Sequence, residues 1–409
     1  MKFIALLTII TSIMLFINAK VLAQEFARAK LANIMINGKE YRAIGVNQPD
    51  LFTSYAAPEL FTQYGAKQAY ELKQKTIDAI LNAEKNHIAF FRFWATGFWP
   101  RDMQLYFDKP DVYWQNMDGV FDLCKEHNIK LIPSIFWHLD MWNMICEEDR
   151  QAILDPNSKT YQAMHKYAKE IVSRYKDDTN ILMWELMNEG FLSADVQMEG
   201  RKAPPEGVYL PTNKLRKETW KKEDSLTAPM LLQFYKEMTE YIKSIDPNHL
   251  VTSGDANVRE TSQSLRESFP EQVWKVDSLR QNLSNLLESQ PEPLDVFSFH
   301  QYGSFEEKQK ISDLPYLNYY RCMIRTAHAS LTPILIGELG QFNPSLKDDY
   351  ESKWAIFAID MMEEEGVALI CLWVWYFPHQ PENDLLSSTH PSLMKRIDEF
   401  NGKYSNLKP

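Results

Sequence analysis

Two glutamates stand directly after apolar segments that have the composition of buried strands. Glu189 follows Asn188 and residues 181–187, which are apolar except for Glu185, and Glu338 follows the apolar residues 333–337. A strand buried on both faces of a parallel sheet is an almost continuous apolar run, and the reacting groups of parallel barrels lie where such strands end. We therefore expect both carboxyl groups at the mouth of one barrel, half-removed from water. Burial there should raise the pKa of Glu189, so that it holds a proton near neutral pH.

Paired carboxyl groups at one site predict acid–base chemistry on a substrate bond. If they face each other across roughly 5–5.5 Å, one can attack an anomeric carbon while the other first donates and then accepts a proton, which is what a retaining glycosidase requires. The alternative is that Asn188-Glu189 is an ordinary solvated pair, since most charged residues lie at the surface. The second strand-end glutamate favours the paired interpretation.

Helix and strand patterns alternate along the chain, which predicts βα units around a parallel sheet. The strand candidates are residues 42–47, 88–94, 130–137, 181–190, 250–254, 294–300, 334–338 and 368–375, preceded by a hairpin at 34–41. The helix candidates are residues 70–85, 157–174, 231–245, 316–330, 350–365 and 391–400, with another around Val120, Phe121 and Cys124.

Eight strands alternating with helices predict an α/β fold, a single (β/α)8 TIM barrel with enlarged βα loops. We expect the early hairpin, turning at Asn37-Gly38, to close the barrel floor. A doubly wound open sheet is the alternative, but residues 45–50 lack the glycine-rich turn of dinucleotide-binding proteins. The long segment 191–227 after the fourth strand is expected to contribute to a binding cleft.

The first 23 residues resemble a secretory signal. Lys2 precedes the apolar run 3–17, and Val21-Leu22-Ala23 ends in a small residue, as a signal-peptide cleavage site does. A membrane anchor is the alternative, but the apolar run is short for a span and polar sequence follows it. We therefore predict an exported protein, secreted or periplasmic, whose catalytic domain is residues 24–409 and which keeps no membrane attachment after signal removal.

Charge and metal-ligand spacing narrow the possible partners. The formal net charge of −11 argues against nucleic acid or anionic polymers and is compatible with a neutral ligand. No Cys-x-x-Cys, His-x-His or His-Glu-x-x-His spacing occurs, so we expect no metal site of the usual kinds. The four cysteines allow a disulfide without indicating one; Cys124 and Cys371 have the pattern of small buried hydrophobes.

Other strand ends carry polar and aromatic residues that should converge on the same cleft. Arg92 lies among aromatics and needs a carboxylate partner; Glu338 in that role would have its pKa lowered, and a structural acid is the alternative. Glu185 should point into the barrel below Glu189 and be held by Arg92 or Ser298, in a positioning role. The remaining candidates are His138, His300, Tyr302, Trp373 and Trp375; the two tryptophans would share one strand face, and each of the five could equally be structural.

The ordered set of motifs resembles clan A glycoside hydrolases, specifically family 5, which contains cellulases and mannanases. The resemblance rests on Trp184-Glu185-Leu186-Met187-Asn188-Glu189 with Ile336-Gly337-Glu338. It implies a (β/α)8 barrel, retention of configuration, no cofactor, Glu189 as acid/base and Glu338 as nucleophile. It further implies substrate-clamping roles that match, in this chain, Arg92, His138, Asn188, His300, Tyr302 and Trp373, with Trp375 as the alternative to Trp373.

The predicted partner is an oligo- or polysaccharide of mannan or glucan type. The sequence leaves open the sugar and linkage, endo or exo action, transglycosylation and the oligomeric state. Trp94, Phe98, Trp99, Trp137 and Trp142 could form an extended sugar platform or loop cores. A non-catalytic carbohydrate-binding barrel is the rival function, although it has no use for two opposed glutamates. A metal-dependent barrel hydrolase is a weaker rival, because the histidine pairs it would need are absent.

Overall fold

A computed structural model describes residues 25–61, 66–215, 218–303, 315–340, 349–385 and 390–405. The predicted signal segment, residues 1–23, lies outside these ranges. None of the helices in the described residues combines the length and the apolar content that crossing a membrane requires.

Eight parallel strands form one sheet that is nearly closed into a barrel. They are β4 (Ala43–Asn47), β5 (Phe90–Trp94), β6 (Lys130–Ser134), β7 (Met183–Glu185), β8 (Leu250–Thr252), β9 (Phe297–Tyr302), β10 (Ile334–Gly340) and β11 (Leu369–Leu372). The spatial order is β8-β7-β6-β5-β4-β11-β10-β9, and a single parallel bridge between Thr252 and Val296 joins the two ends. The predicted TIM barrel is therefore confirmed.

A long helix follows each of these strands. They are α1 (Ala66–Lys85), α2 (Pro110–Glu126), α3 (Lys159–Tyr175), α4 (Ala228–Ile245), α5 (Leu279–Glu288), α6 (Tyr316–His328), α7 (Asp349–Glu364) and α8 (Pro391–Tyr404). Shorter helices span Leu51–Tyr55, Ala57–Leu60, Gln104–Asp108, Met141–Cys146 and Ser262–Ser268. Helix α3 shows why such segments form: Met164, Ala168 and Ile171 recur on its buried face at the helical period, and the Ser158 side chain caps its first turn.

The floor of the barrel is closed by a small antiparallel sheet, as predicted. Strands β1 (Arg28–Lys30), β2 (Asn33–Ile36) and β3 (Lys39–Tyr41) pair in that order, and β2 turns into β3 through Asn37 and Gly38, both at positive φ. Ile34 and Tyr41 pack against barrel-interior residues. Water is thereby excluded from the end of the barrel opposite the strand C-termini.

Several predicted boundaries were wrong. The third and eighth strands end at Ser134 and Leu372 rather than at 137 and 375, because the chain leaves the ladder to build the mouth of the barrel. Helix α5 was not predicted, since its sequence is mostly polar and only Leu279, Leu283 and Leu286 mark an apolar face. The four cysteines are unpaired.

Candidate active site

Glu189 and Glu338 lie at the same mouth of the barrel and line one cleft. The cleft has a volume of about 1040 Å³. A carboxylate oxygen of Glu189 lies within 4.8 Å of one of Glu338, and both lie within 4.8 Å of a ring nitrogen of His300. The two carboxyl groups therefore border one site, and their nearest oxygens are no farther apart than the roughly 5–5.5 Å at which the carboxyl groups of retaining enzymes stand.

The backbone beyond β7 fixes where Glu189 points. Glu189 itself is in the left-handed region, with φ 54°, and its N–H donates to the Gly254 carbonyl at 3.1 Å, while Asn188 N–H donates to Trp137 O at 3.1 Å. Gly254 permits this approach, because a Cβ there would stand 1.9 Å from the Met187 carbonyl oxygen. The acid is thus held between the segments that follow β6 and β8.

A register shift in β10 places Glu338 beside the neighbouring strand. The pairing of β10 with β9 changes between Ile336 and Glu338, after which Glu338 is opposite His300. Gly337 lies at the shift, and a Cβ at this position would come 2.9 Å from His300 Nε2. The glycine therefore lets the His300 ring lie between the two glutamates.

Arg92 is the shared cation of the site. Its side chain is fully buried, and its Nε donates to Glu185 Oε2 at 2.6 Å while Nη1 donates to Glu338 Oε1 at 3.1 Å. The remaining bonds go from Nη1 to Asn47 Oδ1 at 3.0 Å and from Nη2 to Asn188 Oδ1 at 2.7 Å. The expected contacts of Arg92 with Glu338 and with Glu185 are both confirmed, and one guanidinium makes them together.

His300 and Tyr302, both on β9, complete the polar contacts of the two glutamates. His300 Nδ1 lies 2.9 Å from Glu189 Oε1 and 3.5 Å from Glu338 Oε2. The Tyr302 hydroxyl donates a short hydrogen bond to Glu338 Oε2. His300 and Tyr302 are alternate residues of β9, so their side chains point to the same face of the strand. His300 contacts both glutamates, and Tyr302 contacts Glu338.

The two pKa directions are the reverse of those expected from the sequence. Burial raises the pKa of Glu338 above its ordinary value, and the opposing effects of His300, Arg92 and Tyr302 do not cancel it. Burial also raises the pKa of Glu189, but the His300 hydrogen bond and the charges of His300, Arg92 and Arg259 outweigh it, so the pKa lies below its ordinary value. The reason is exposure: the Glu338 side chain is 5% exposed and that of Glu189 is 34% exposed.

Aromatic rings line the cleft around the glutamates. Trp137 and Trp373 are nearly parallel, with ring centroids 6.5 Å apart, and the Arg92 guanidinium lies over Trp137 at 4.3 Å. Trp373 donates from Nε1 to Gln380 Oε1 at 2.9 Å, which fixes the plane of its ring. Flat apolar faces beside polar groups suit a sugar ring, which has C–H faces and hydroxyl edges.

Two residues that the sequence suggested for substrate binding, Trp375 and His138, do not line the main cleft. Trp375 is fully buried and donates to the Ala79 carbonyl of α1 at 2.9 Å, so its assignment to the cleft is wrong. Strand β11 ends at Leu372, and strand alternation therefore does not extend to Trp373 and Trp375. His138 stacks on Phe98 and lines an adjoining pocket that also includes Asn188 and Glu189.

Sequence reasoning missed several residues of the site. Asn47, which ends β4, bonds Arg92 and the carbonyls of Gly337 and Leu372; the strand-end rule that selected the glutamates could have found it. Asp255 was also missed. Its Oδ1 accepts from Phe191 N–H at 2.8 Å and from Tyr235, directly behind Glu189, and it carries no recognisable motif.

One group of side chains has its oxygen and nitrogen atoms close enough together to bind a single metal ion. It consists of Glu189, His300 and Glu338. Among the described residues no other group of three His, Cys, Asp or Glu side chains meets that criterion. Each of the three already has a polar partner within the site.

The barrel, the strand-end carboxyl pair and the buried arginine define a glycoside hydrolase site. The sequence model of cellulase (glycosyl hydrolase family 5) matches residues 46–377, which is most of the chain, and the chain belongs to that family. The enzyme class predicted from the sequence is the class of this family.

Curated relatives are about one-quarter identical to this chain over the residues that align. The probable mannan endo-1,4-beta-mannosidase F of Neosartorya fischeri is 24% identical over 63% of the chain and 48% of its own length. Mannan endo-1,4-beta-mannosidase 7 of Oryza sativa subsp. japonica is 24% identical over 67% of the chain and 71% of its own length. The chain thus spans about half the length of the fungal relative.

Solved structures share the fold. The endo-1,4-beta-mannanase of Rhizomucor miehei superposes with a TM-score of 0.60 at 16% identity, over 93% of this chain and all of that one. The endo-beta-1,4-mannanase of Thermotoga petrophila gives a TM-score of 0.59 at 17% identity, over 91% of this chain and 79% of that one.

Proposed function

We propose that this protein is an exported retaining β-glycoside hydrolase that cleaves β-1,4-linked mannan. The observation that carries the proposal is the pair of carboxylates within 4.8 Å of each other in an aromatic cleft. Mannan rather than glucan is preferred because the curated relatives are named mannan endo-1,4-beta-mannosidases. Export rests on the signal-like residues 1–23.

The reaction would proceed by two displacements at the anomeric carbon. A Glu338 oxygen attacks that carbon, the glycosidic C–O bond breaks, and Glu189 gives its proton to the departing oxygen. Water then attacks the same carbon, Glu189 takes the proton, and the bond to Glu338 breaks. The second attack comes from the face that the leaving group left, so the product keeps the β configuration.

Arg92 and Tyr302 would hold the nucleophile in position. Arg92 Nη1 and the Tyr302 hydroxyl contact different oxygens of Glu338. These donors stabilise the carboxylate before attack and again when it is released. Asn188 accepts from Arg92 through Oδ1, which leaves its amide N–H groups available to the substrate 2-hydroxyl.

Substrate binding would move a proton between the two glutamates. In the free protein the raised pKa of Glu338 and the lowered pKa of Glu189 favour the proton on Glu338, whereas attack needs it on Glu189. A sugar in the cleft would displace water from Glu189, whose side chain is one-third exposed, and so raise its pKa. Bound sugar would therefore favour the arrangement that the reaction needs, with the proton on Glu189 and Glu338 ionised.

The two roles can be separated by azide rescue of single variants. We expect Glu338→Ala to abolish cleavage of β-mannan, and azide to restore turnover of a dinitrophenyl β-mannoside or manno-oligosaccharide as the α-glycosyl azide, because azide enters from the face that the carboxylate occupied. We expect Glu189→Ala to lose about 10²–10⁴-fold on mannan, to retain activity on the dinitrophenyl substrate, and to give the β-glycosyl azide.

Glu199→Ala is the matched control, because Glu199 is an exposed glutamate in the segment after the same strand. It should leave activity on mannan unchanged. Wild-type activity in Glu338→Ala would refute the nucleophile assignment. If the wild-type protein binds β-mannan and β-glucan but cleaves neither, the rival function of a carbohydrate-binding barrel is correct. Product analysis on both polymers distinguishes mannan from glucan and endo from exo action.

A further inference from the structure

A second pocket of about 350 Å³ opens on the far side of Glu189. It shares Phe98, Trp137, Asn188 and Glu189 with the main cleft but is not lined by Glu338 or Trp373. On the proposed function, Glu189 protonates the oxygen of the leaving group. The pocket therefore lies where the sugar on the leaving-group side of the cleaved bond must sit, and the inference below rests on that function.

Three arginines line this pocket, and only one of them is neutralised. Arg150 is bound through two hydrogen bonds, of 2.5 and 2.7 Å, to the carboxylate of Asp140. Arg201 and Arg259 form no ion pair with any described carboxylate within 4.0 Å. Glu189 is the acid whose charge reaches Arg259. On the proposed mechanism Glu189 is protonated, and therefore uncharged, in the complex with the intact substrate, before it gives its proton to the leaving oxygen.

Arg259 is held in place without an acid. Its Nε donates to the Leu192 carbonyl at 2.8 Å, and its guanidinium carbon lies 5.9 Å from the ring centroid of Trp274. Its terminal nitrogens have no hydrogen-bond partner among the residues that the structure describes. Burial lowers the pKa of Arg259, and the neighbouring positive charge of Arg201 lowers it further.

Arg201 and Arg259 are close enough for their charges to oppose each other, and once Glu189 is protonated in the substrate complex no described carboxylate offsets either charge by an ion pair. The net charge of the protein is −11, so acidic side chains outnumber basic ones. The absence of an ion pair with a described acid at these two arginines does not therefore result from a shortage of acids. A fixed guanidinium with free terminal N–H groups is the geometry that binds carboxylate, sulfate or phosphate oxygens through paired hydrogen bonds.

We propose that Arg201 and Arg259 bind an anionic group on the sugar of the leaving-group side, so that the preferred substrate is a β-linked glycan bearing acidic units. The anion is a uronic carboxylate or a sulfate ester. The acidic protein surface disfavours a polyanion, and an isolated acidic sugar within a largely neutral chain satisfies both charges.

The test compares oligosaccharides that differ only in this charge. One manno-oligosaccharide carries a uronic acid on the leaving-group side of the cleaved bond, a second is the same molecule with the carboxyl reduced to an alcohol, and a third carries a sulfate ester there. Wild-type kcat/KM should be about ten-fold higher for an anionic substrate than for the reduced one, a difference of about 1.4 kcal/mol, and added salt should shrink the ratio.

In the Arg201→Gln/Arg259→Gln variant this ratio should fall to about one. Arg280→Gln removes an exposed arginine on the same connection between β8 and β9 and should keep the wild-type ratio. The uronate and sulfate arms identify which anion is preferred. A wild-type ratio of one for both anions, or a ratio that survives in the double variant, overturns the proposal.

Calorimetric titration of the wild-type protein with the acidic disaccharide and its reduced counterpart gives a readout independent of cleavage. Tighter binding of the acidic form that depends on Arg201 and Arg259 supports the anion site even if no glycan is hydrolysed, in which case the proposed function fails on its own. Equal binding of the two disaccharides, with normal hydrolysis of neutral mannan, overturns the anion site and leaves the proposed function standing.

Discussion

Arg92 shows how far single side chains could be assigned from the sequence. An arginine among buried aromatics must have acidic partners, and Glu338 and Glu185 were the expected ones; the structure has both. That one guanidinium serves both, with Asn47 and Asn188 besides, depends on the register of four strands. Residue types and spacing do not specify that register.

His300 should set the pH range of activity, because it lies against both glutamates. Its hydrogen bond lowers the pKa of Glu189, and its charge lowers the pKa of Glu338. The His300→Asn substitution removes both effects, so both pKa values rise. Since activity needs Glu338 ionised and Glu189 protonated, we expect the acid and the alkaline limbs of the kcat/KM profile to move to higher pH together.

The control for this profile is His127→Asn. His127 also contacts a glutamate, Glu84, with its Nδ1 2.8 Å from a carboxylate oxygen, but the pair lies on the outer helices. Its profile should coincide with that of the wild-type protein. A His300→Asn variant with lower activity and unmoved limbs would mean that His300 only supports the local structure.

At the scale of elements, the side chain of Asn401 on α8 bonds to the backbone of β4, the first strand of the barrel. Asn401 on α8 accepts from Ile44 N–H at 2.7 Å and donates to the carbonyls of Ile44 and His87 at 2.9 and 2.8 Å. In Asn401→Ala the buried Ile44 N–H loses this acceptor, which should cost about 2–3 kcal/mol. Urea denaturation measures the loss of unfolding free energy.

Asn82→Ala provides the comparison for Asn401→Ala. Asn82 also donates from its amide to a backbone carbonyl, that of Asp78, but it lies on the exposed face of α1. The change in unfolding free energy should be below about 0.5 kcal/mol. Equal losses in the two variants would show that α8 does not hold β4 in place.

The element pattern was predictable because helix and strand periods differ and alternate regularly. The residues at which strands and helices end were harder to predict. Residues 373–375 continue the apolar pattern of β11, yet they turn out of the ladder, and this sends Trp373 into the cleft and Trp375 into the core. Two contacts accompany this turn. Trp373 bonds to Gln380, which lies beyond the strand, and Trp375 bonds to α1, which is distant along the chain.

At the scale of the whole molecule, buried acids should make stability depend on pH. Burial raises the pKa of Asp255 from 3.8 to about 7 and that of Asp50 from 3.8 to about 6. The folded protein therefore binds more protons than the unfolded chain between these values. Stabilisation from these groups is complete below pH 3.8 and is lost as the pH rises towards about 7.

Asp255→Asn should remove most of that dependence. Asparagine keeps the acceptor for Phe191 and Tyr235 but cannot ionise, so the variant should gain about 1–3 kcal/mol relative to the wild-type protein between pH 5 and pH 8. Urea denaturation at several pH values gives this difference. Asp78→Asn, at an exposed acid, should run parallel to the wild-type curve. A constant difference between wild-type and Asp255→Asn would contradict the buried ionisation.

Net charge was a poor guide to the local electrostatics of the molecule. The acidic balance argues against anionic polymers and is compatible with a neutral ligand, whereas the pocket beyond Glu189 contains Arg201 and Arg259, which form no ion pair with a described carboxylate. Charge summed over the chain says nothing about where the loops after β7 and β8 bring their side chains together. The position of those loops depends on tertiary contacts that no local pattern records.

Because Arg92 contacts both the interior acid Glu185 and the reacting acid Glu338, the reaction centre is part of the internal framework of the barrel. Three strands would have to change together for that centre to acquire a different chemistry. On the rim, Arg201, Arg259 and Trp373 make no hydrogen bond or ion pair with Arg92 or Glu185 among the described residues. Descendants of such a chain can therefore exchange one glycan for another by altering the rim while the bond-breaking step stays the same.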